Sequence, residues 1–214
     1  MPKDSKVKRA LVVVDVQNDF CAGGSLPVPE GDRVVPVINR LMPLFPLVVA
    51  TRDWHPGGHV SFASSHPGKR PTQSVKIDGI EQLLWPDHCV RGSEGANFHP
   101  NLDLRPVNLI LNKGTRRDLD SYSAFFENDR KTTTGLEFYL KGLGYSEVFL
   151  CGLAEDVCVF YSASDAKRLD FRTFVVADAV RGVDIPAGSL GAARRKMESD
   201  GVLLVTSDFL HGRY

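Results

Sequence analysis

The feature that most constrains this chain is a regular alternation of short β-branched apolar runs with amphipathic stretches. The runs Ala10–Asp15, Leu47–Arg52, Val107–Asn112, Glu147–Cys151, Thr173–Ala177 and Val202–Val205 have the length and composition of strands buried on both faces. Between them, Asp32–Leu44, Thr134–Leu143, Glu155–Leu169 and Ser189–Ser199 gather apolar residues on one helical face, each long enough for about three turns. Strands alternating with helices specify βαβ units, and a right-twisted strand feeding a helix packs back onto its sheet only through a right-handed crossover. The pattern predicts an α/β fold of Rossmann-like, three-layer αβα type, with a mostly parallel six-stranded sheet and helices on both faces.

No repeat, low-complexity tract or linker divides the 214 residues, so one domain spanning 1–214 is expected. One stretch breaks the alternation. From Trp54 to Arg105 the chain is rich in Pro, Gly, His and Ser with little periodicity, and it reads as a long loop insertion, the kind that usually carries function. Of six histidines, His55, His59, His66, His88 and His99 fall inside it and only His211 lies outside.

Composition narrows the partners. Lys and Arg total 26 and Asp and Glu total 26, so the formal net charge is zero, which argues against nucleic acid or an acidic membrane and favours a small neutral ligand. The basic stretch before Ala10 imitates a secretory signal, but Asp15 ends the apolar run too early, and no run approaches the length of a membrane span. Cys21, Cys89, Cys151 and Cys158 form no CxxC pair and are too sparse for a disulfide scaffold, so reduced thiols and a cytoplasmic location are expected.

In open α/β sheets ligands bind outside the carboxyl ends of the strands. Asp15, Asp53 and Lys113 close three of the predicted strands, and Cys158 follows a fourth at the start of the next helix. Free backbone N–H groups in a first helical turn stabilise a thiolate, which makes Cys158 the nucleophile candidate. Glu155 and Asp156 oppose that charge, and Lys113 is the cation placed to offset them. Asp15 could take the thiol proton, or, like Asp178, could simply satisfy backbone donors at a strand end. Asp53 and His55 place a carboxylate and an imidazole two residues apart, and one distant histidine, His88 first and His59 second, would complete a site for a divalent transition metal. Phe20, Trp85 and Tyr122 could sandwich a flat ligand or simply pack in the core. No GxGxxG or GxxxxGK[ST] follows a strand, so nucleotide binding has no motif support.

The motifs Val14-Asp15-Val16-Gln17-Asn18-Asp19-Phe20-Cys21, Asp53-Trp54-His55-Pro56, His59-Val60-Ser61-Phe62-Ala63, Trp85-Pro86-Asp87-His88-Cys89-Val90, Lys113-Gly114, Asp120-Ser121-Tyr122-Ser123-Ala124-Phe125 and Gly152-Leu153-Ala154-Glu155-Asp156-Val157-Cys158-Val159 run in one order across nearly the whole chain. In this the sequence resembles the nicotinamidase/pyrazinamidase family of isochorismatase-like hydrolases. The resemblance implies a catalytic triad of Asp15 as base, Cys158 as nucleophile and Lys113 holding and polarising the pair. It also implies one divalent metal ion on Asp53, His55 and His88, with zinc first and iron or manganese as alternatives, whose open positions hold water and a pyridine nitrogen. His59 falls outside the usual ligand set. A cis Leu153–Ala154 peptide is implied, with an oxyanion hole from the N–H groups of Ala154 and Cys158, and Phe20, Leu26, Trp85 and Tyr122 line the ring pocket. Glu155 and Val157 depart from the family, where Thr or Ser and Tyr or His are common.

The implied activity is hydrolysis of nicotinamide to nicotinate and ammonia through a cysteine thioester, with pyrazinamide as a second substrate and a role in NAD salvage. A homo-oligomer is compatible with this reading. The alternatives are another amide or N-carbamoyl hydrolase of the superfamily, a hydrolase in which metal-bound hydroxide attacks, and a noncatalytic thiol-bearing or ligand-binding module.

Overall fold

A computed structural model describes residues 7–211. Its centre is a sheet in the order β5-β2-β1-β6-β7-β8, formed by β1 (Lys8–Val14), β2 (Leu47–Asp53), β5 (Leu109–Lys113), β6 (Tyr145–Leu153), β7 (Arg172–Arg181) and β8 (Leu203–Val205), and every neighbouring pair is parallel. The helices are α1 (Val34–Leu41), α2 (Leu136–Gly142), α3 (Phe160–Arg168), α4 (Ser189–Ser199) and α5 (Ser207–His211).

The alternation of β1 shows why the predicted runs are apolar at every position. Leu11 and Val13 pack into one core with Val34, Val35, Ile38 and Leu41 of α1, and Ala10, Val12 and Val14 pack into a second with α2, α3 and α4. A strand covered on both faces has no solvent side to carry polar residues. Phe149 of β6 stacks on Phe174 of β7 at 4.2 Å, and Phe45 meets Phe149 edge-on, filling the first core with rings.

Three elements differ from the sequence reading. The insertion contains a two-stranded antiparallel hairpin, β3 (Ser74–Ile77) and β4 (Ile80–Leu83), separate from the main sheet. The predicted helix Glu155–Leu169 opens as a wide π-type turn over Glu155–Val159 before α3 begins. The predicted strand Thr173–Ala177 runs on to Arg181, so Asp178 lies within β7. There it accepts from the backbone N–H and the hydroxyl of Ser207, capping α5. No helix among the described residues is long and apolar enough to cross a membrane.

Candidate active site

The carboxyl ends of four adjacent strands, β5, β2, β1 and β6, meet at one edge. Asp53 and Lys113 are register partners across β2 and β5, and Asp15, just beyond β1, donates its backbone N–H to Thr51 of β2. Asp15 has φ of 47°, a left-handed conformation that Asp tolerates better than most residues. Gly152 in β6 crosses the end of β1 so closely that a Cβ would lie 2.0 Å from the Val14 carbonyl oxygen, and its φ is 109°. Only glycine permits that approach. The Leu153–Ala154 peptide that follows is cis, as the resemblance implied. In the π-type turn the Ala154 carbonyl accepts from the N–H groups of Val157 and Val159, each at 3.1 Å, and Cys158 lies between them in sequence.

Lys113 is the hub of this edge. Its Nζ pairs with Asp15 at 2.8 Å, donates to the Ser121 carbonyl at 3.0 Å and to Cys158 Sγ at 3.4 Å, and also donates to Asp53. All four side chains are buried, and single ligand atoms from Asp15, Asp53 and Cys158 lie within 4.8 Å of one another. The Asp15 carboxyl is pushed up to about 6 by burial, with Lys113 opposing. Burial also acts on Asp53, but Lys113 and His55 outweigh it and hold that carboxyl well below the usual range. Burial lifts the Cys158 thiol well above its ordinary value, and Lys113 pulls against it. First-turn N–H groups therefore do not by themselves create a free thiolate here: ionisation requires a base and the ammonium together.

The charges expected to repel that thiolate are occupied elsewhere. Arg194 of α4 makes a two-point contact with Glu155 at 2.6 and 2.8 Å. Asp156 accepts from the backbone N–H groups of Val183 and Asp184 and from the Ser189 hydroxyl. The departure at Glu155 is thus matched by a partner, and Val157 faces the site cavity.

Asp53, His55 and His88 converge beside this cluster. Nδ1 of His55 is 2.9 Å from the Gly114 carbonyl and Nδ1 of His88 is 2.8 Å from the Pro86 carbonyl, which assigns the proton to Nδ1 in each ring and leaves both Nε2 atoms as ligands. Those Nε2 atoms lie 3.7 and 3.9 Å from Asp53 Oδ2. The three donor atoms lie within 4.8 Å of one another, close enough for one ion to be shared among them. These residues fit a divalent metal. His59 does not join them: its ring stacks on His55 at 4.1 Å, its Nδ1 bonds the Ser61 hydroxyl and its Nε2 faces the Leu119 carbonyl.

Phe20, Leu26, Trp85 and Tyr122 line one cavity together with Asp53, His55, His88, Ala154 and Cys158, and Asp15 and Lys113 lie buried behind its wall. Sequence reasoning missed three contributors. Gln17 clamps the Asp53 backbone, accepting from its N–H and donating to its carbonyl. Asp120 lines the cavity, and its place at the head of Asp-Ser-Tyr-Ser-Ala-Phe was the available signal. The bond from Lys113 to Asp53, which ties the thiol cluster to the candidate metal ligands, has no signal in the primary structure, because it depends on which strands are neighbours.

Comparison with known proteins identifies the family and the fold. The isochorismatase domain family matches residues 9–204. The chain is 46% identical over 198 residues to the nicotinamidase of Acinetobacter baylyi, covering 92% of each protein. It superposes on the solved nicotinamidase/pyrazinamidase of Acinetobacter baumanii with a TM-score of 0.94 and 46% identity, over 96% of this chain and 99% of that one. It also resembles the pyrazinamidase of Pyrococcus horikoshii solved in complex with zinc, with a TM-score of 0.76 and 36% identity over 93% of this chain and 99% of that one. With the fold, the strand-end cluster and the match across nearly its whole length in agreement, the chain belongs to the isochorismatase domain family.

Proposed function

We infer that this protein is a nicotinamidase, a single-domain amide hydrolase converting nicotinamide to nicotinate and ammonia, and that it also hydrolyses pyrazinamide, which differs by one ring nitrogen. The observation that carries the reading is that Cys158, backed by Lys113 and Asp15, opens onto the same cavity as Asp53, His55 and His88, between the rings of Phe20, Trp85 and Tyr122. A flat heteroaromatic amide fits such walls, and a neutral one needs no electrostatic funnel. The similarity to the nicotinamidase of Acinetobacter baylyi supports the same substrate.

In this mechanism Asp15 takes the Cys158 proton while Lys113 stabilises the charge left on sulfur. The thiolate attacks the carboxamide carbon, and the oxyanion is held by the N–H groups of Ala154 and Cys158; such donors are worth roughly 3 kcal/mol each in a transition state. Asp15 returns its proton to the leaving nitrogen, releasing ammonia and a thioester. A water deprotonated by Asp15 then attacks the thioester, nicotinate leaves, and the thiol is restored. Asp53, His55 and His88 would hold one divalent metal ion, zinc first with iron or manganese as alternatives. When bound, that ion supplies a Lewis-acidic position for the pyridine nitrogen. Leu26 completes the ring pocket. The zinc-bound structural relative supports the metal assignment. The four cysteines are free thiols and form no CxxC pair, which supports a reducing, cytoplasmic setting.

The test is ammonia release from nicotinamide, pyrazinamide and an aliphatic amide by the wild-type protein and by Cys158→Ala with its metal retained. Wild type is expected to turn over the two ring amides and Cys158→Ala neither. Turnover by Cys158→Ala that is abolished by chelation would instead establish attack by metal-bound hydroxide.

A further inference from the structure

In the hairpin β3–β4 the apolar residues Val75, Ile77, Ile80 and Leu83 are half-buried, and one position alone is fully buried. Gln82 is 3% exposed, and the only fully buried side chain of the hairpin is therefore polar. Its Nε2 donates to Asp120 Oδ2 at 2.9 Å, to the Tyr122 hydroxyl at 3.0 Å and to the Leu83 carbonyl at 2.8 Å. A carboxylate and a carbonyl can only accept, so the amide orientation is fixed by its partners, and its two protons are shared among three acceptors. Trp85 Nε1 reaches the same Tyr122 hydroxyl at 3.2 Å. Tyr122, Trp85 and Asp120 all line the catalytic cavity; Gln82 does not.

We propose that Gln82 is a positioning residue for the substrate's ring: held by Asp120, its amide fixes the Tyr122 hydroxyl and through it the Tyr122–Trp85 wall of the cavity. The proposal rests on the nicotinamidase reading. Asp120 Oδ1 is itself held by the Ser121 N–H at 2.8 Å, so the chain of contacts is anchored on backbone at its far end. Gln82 touches none of Asp15, Lys113 or Cys158. Loss of its amide therefore changes how tightly the ring is gripped, equally in ground and transition states, and leaves the chemical step intact.

The experiment measures kcat and KM for nicotinamide with wild type, Gln82→Leu, the isosteric Gln82→Glu, Tyr122→Phe and the Gln82→Leu/Tyr122→Phe double variant, each checked for a wild-type melting profile and metal content. A charge-assisted network of this kind predicts that KM rises about tenfold in Gln82→Leu with kcat within about threefold of wild type. Gln82→Glu, which replaces the donor with an acceptor facing Asp120, is expected to be no better than Gln82→Leu. On the Tyr122→Phe background the Leu substitution is expected to raise KM by no more than about twofold, because its route is already cut. An unchanged KM in Gln82→Leu, a loss confined to kcat, or a full tenfold effect that persists without the Tyr122 hydroxyl overturns the proposal. A wild type that releases no ammonia from nicotinamide refutes the underlying activity instead, a result the variants cannot mimic.

Discussion

Replacing Lys113 with Met keeps the length of the side chain and removes the one charge on which the site is organised. In the protein as folded, a fully buried ammonium contacts two buried carboxylates, Asp15 at 2.8 Å and Asp53 by a direct hydrogen bond, along with the Cys158 sulfur. Without it, two like charges face each other out of water. Removing one partner of a buried ion pair costs about 3–5 kcal/mol, because the remaining charge is left uncompensated. At about 2–4 °C per kcal/mol for a chain of this size, the melting temperature of metal-free Lys113→Met is expected to fall by about 6–20 °C near pH 8. The sign of its pH dependence follows from Asp15, whose carboxyl already sits at about 6 through burial against the opposing pull of Lys113. Removing that pull raises it further. A carboxyl raised above its unfolded value destabilises the fold while ionised, so the penalty is present at high pH and shrinks as protonation relieves it. The gap in melting temperature between wild type and Lys113→Met, both stripped of metal by chelation, is therefore expected to narrow from pH 8 to pH 5. Nicotinamide turnover by the metal-loaded variant is expected to drop by two orders of magnitude or more. A gap that stays constant or widens as the pH falls, or turnover within tenfold of wild type, refutes the assignment of Lys113 as the shared counter-charge.

Two further outcomes follow from single contacts. Because Asp15 must be ionised to accept the thiol proton, and its carboxyl stands at about 6, kcat/KM is expected to decline with unit slope as the pH falls below about 6; a flat profile to pH 5 would remove Asp15 from the role of base. Gly114 has φ of 60°, and a Cβ there would lie 2.3 Å from Cε1 of His55, so Gly114→Ala is expected to turn that imidazole away from Asp53 and lower the bound metal, measured by elemental analysis, at least tenfold with the main sheet intact.

Much of this site was legible because a parallel sheet sends every strand's carboxyl end to one edge. Reading which residues close the apolar runs was enough to select Asp15, Asp53 and Lys113, and the position after β6 selected Cys158. What periodicity does not encode is lateral order. The contact between Asp53 and Lys113 exists because β2 and β5 are neighbours although 55 residues separate the end of one from the start of the other. The hairpin was hidden for a different reason. Asp78 and Gly79, with φ of 48° and 87°, form the tight turn that an Asp-Gly pair signals, and β3 alternates polar and apolar residues, but each strand is only 4 residues long and β4 buries the polar Gln82, so the pattern is too short and too mixed to stand out within the insertion. Gln82, the buried polar residue of β4, is the one whose amide reaches the Tyr122 hydroxyl. At Glu155 and Asp156 the sequence showed charges near the nucleophile, and only the fold shows that α4 and the 183–184 backbone absorb them.

The two carboxylates that share Lys113 are not equivalent, and the difference decides which of them can be the base. Asp53 accepts a hydrogen bond from the ammonium and is held well below the usual carboxylate range against its own burial, so protonating it would give up the pairing that stabilises its charge. Asp15 faces Lys113 and the Thr51 hydroxyl, which donates to its Oδ1 at 2.7 Å, and it lies completely buried. A proton is therefore stored on Asp15 at far lower cost than on Asp53. A general base has to surrender and regain a proton within one turnover, which favours a carboxyl poised near neutrality over one held firmly ionised. The register of β2 and β5 gives Asp53 first claim on the Lys113 charge, and the same pairing leaves Asp15 as the carboxylate free to move the proton of Cys158.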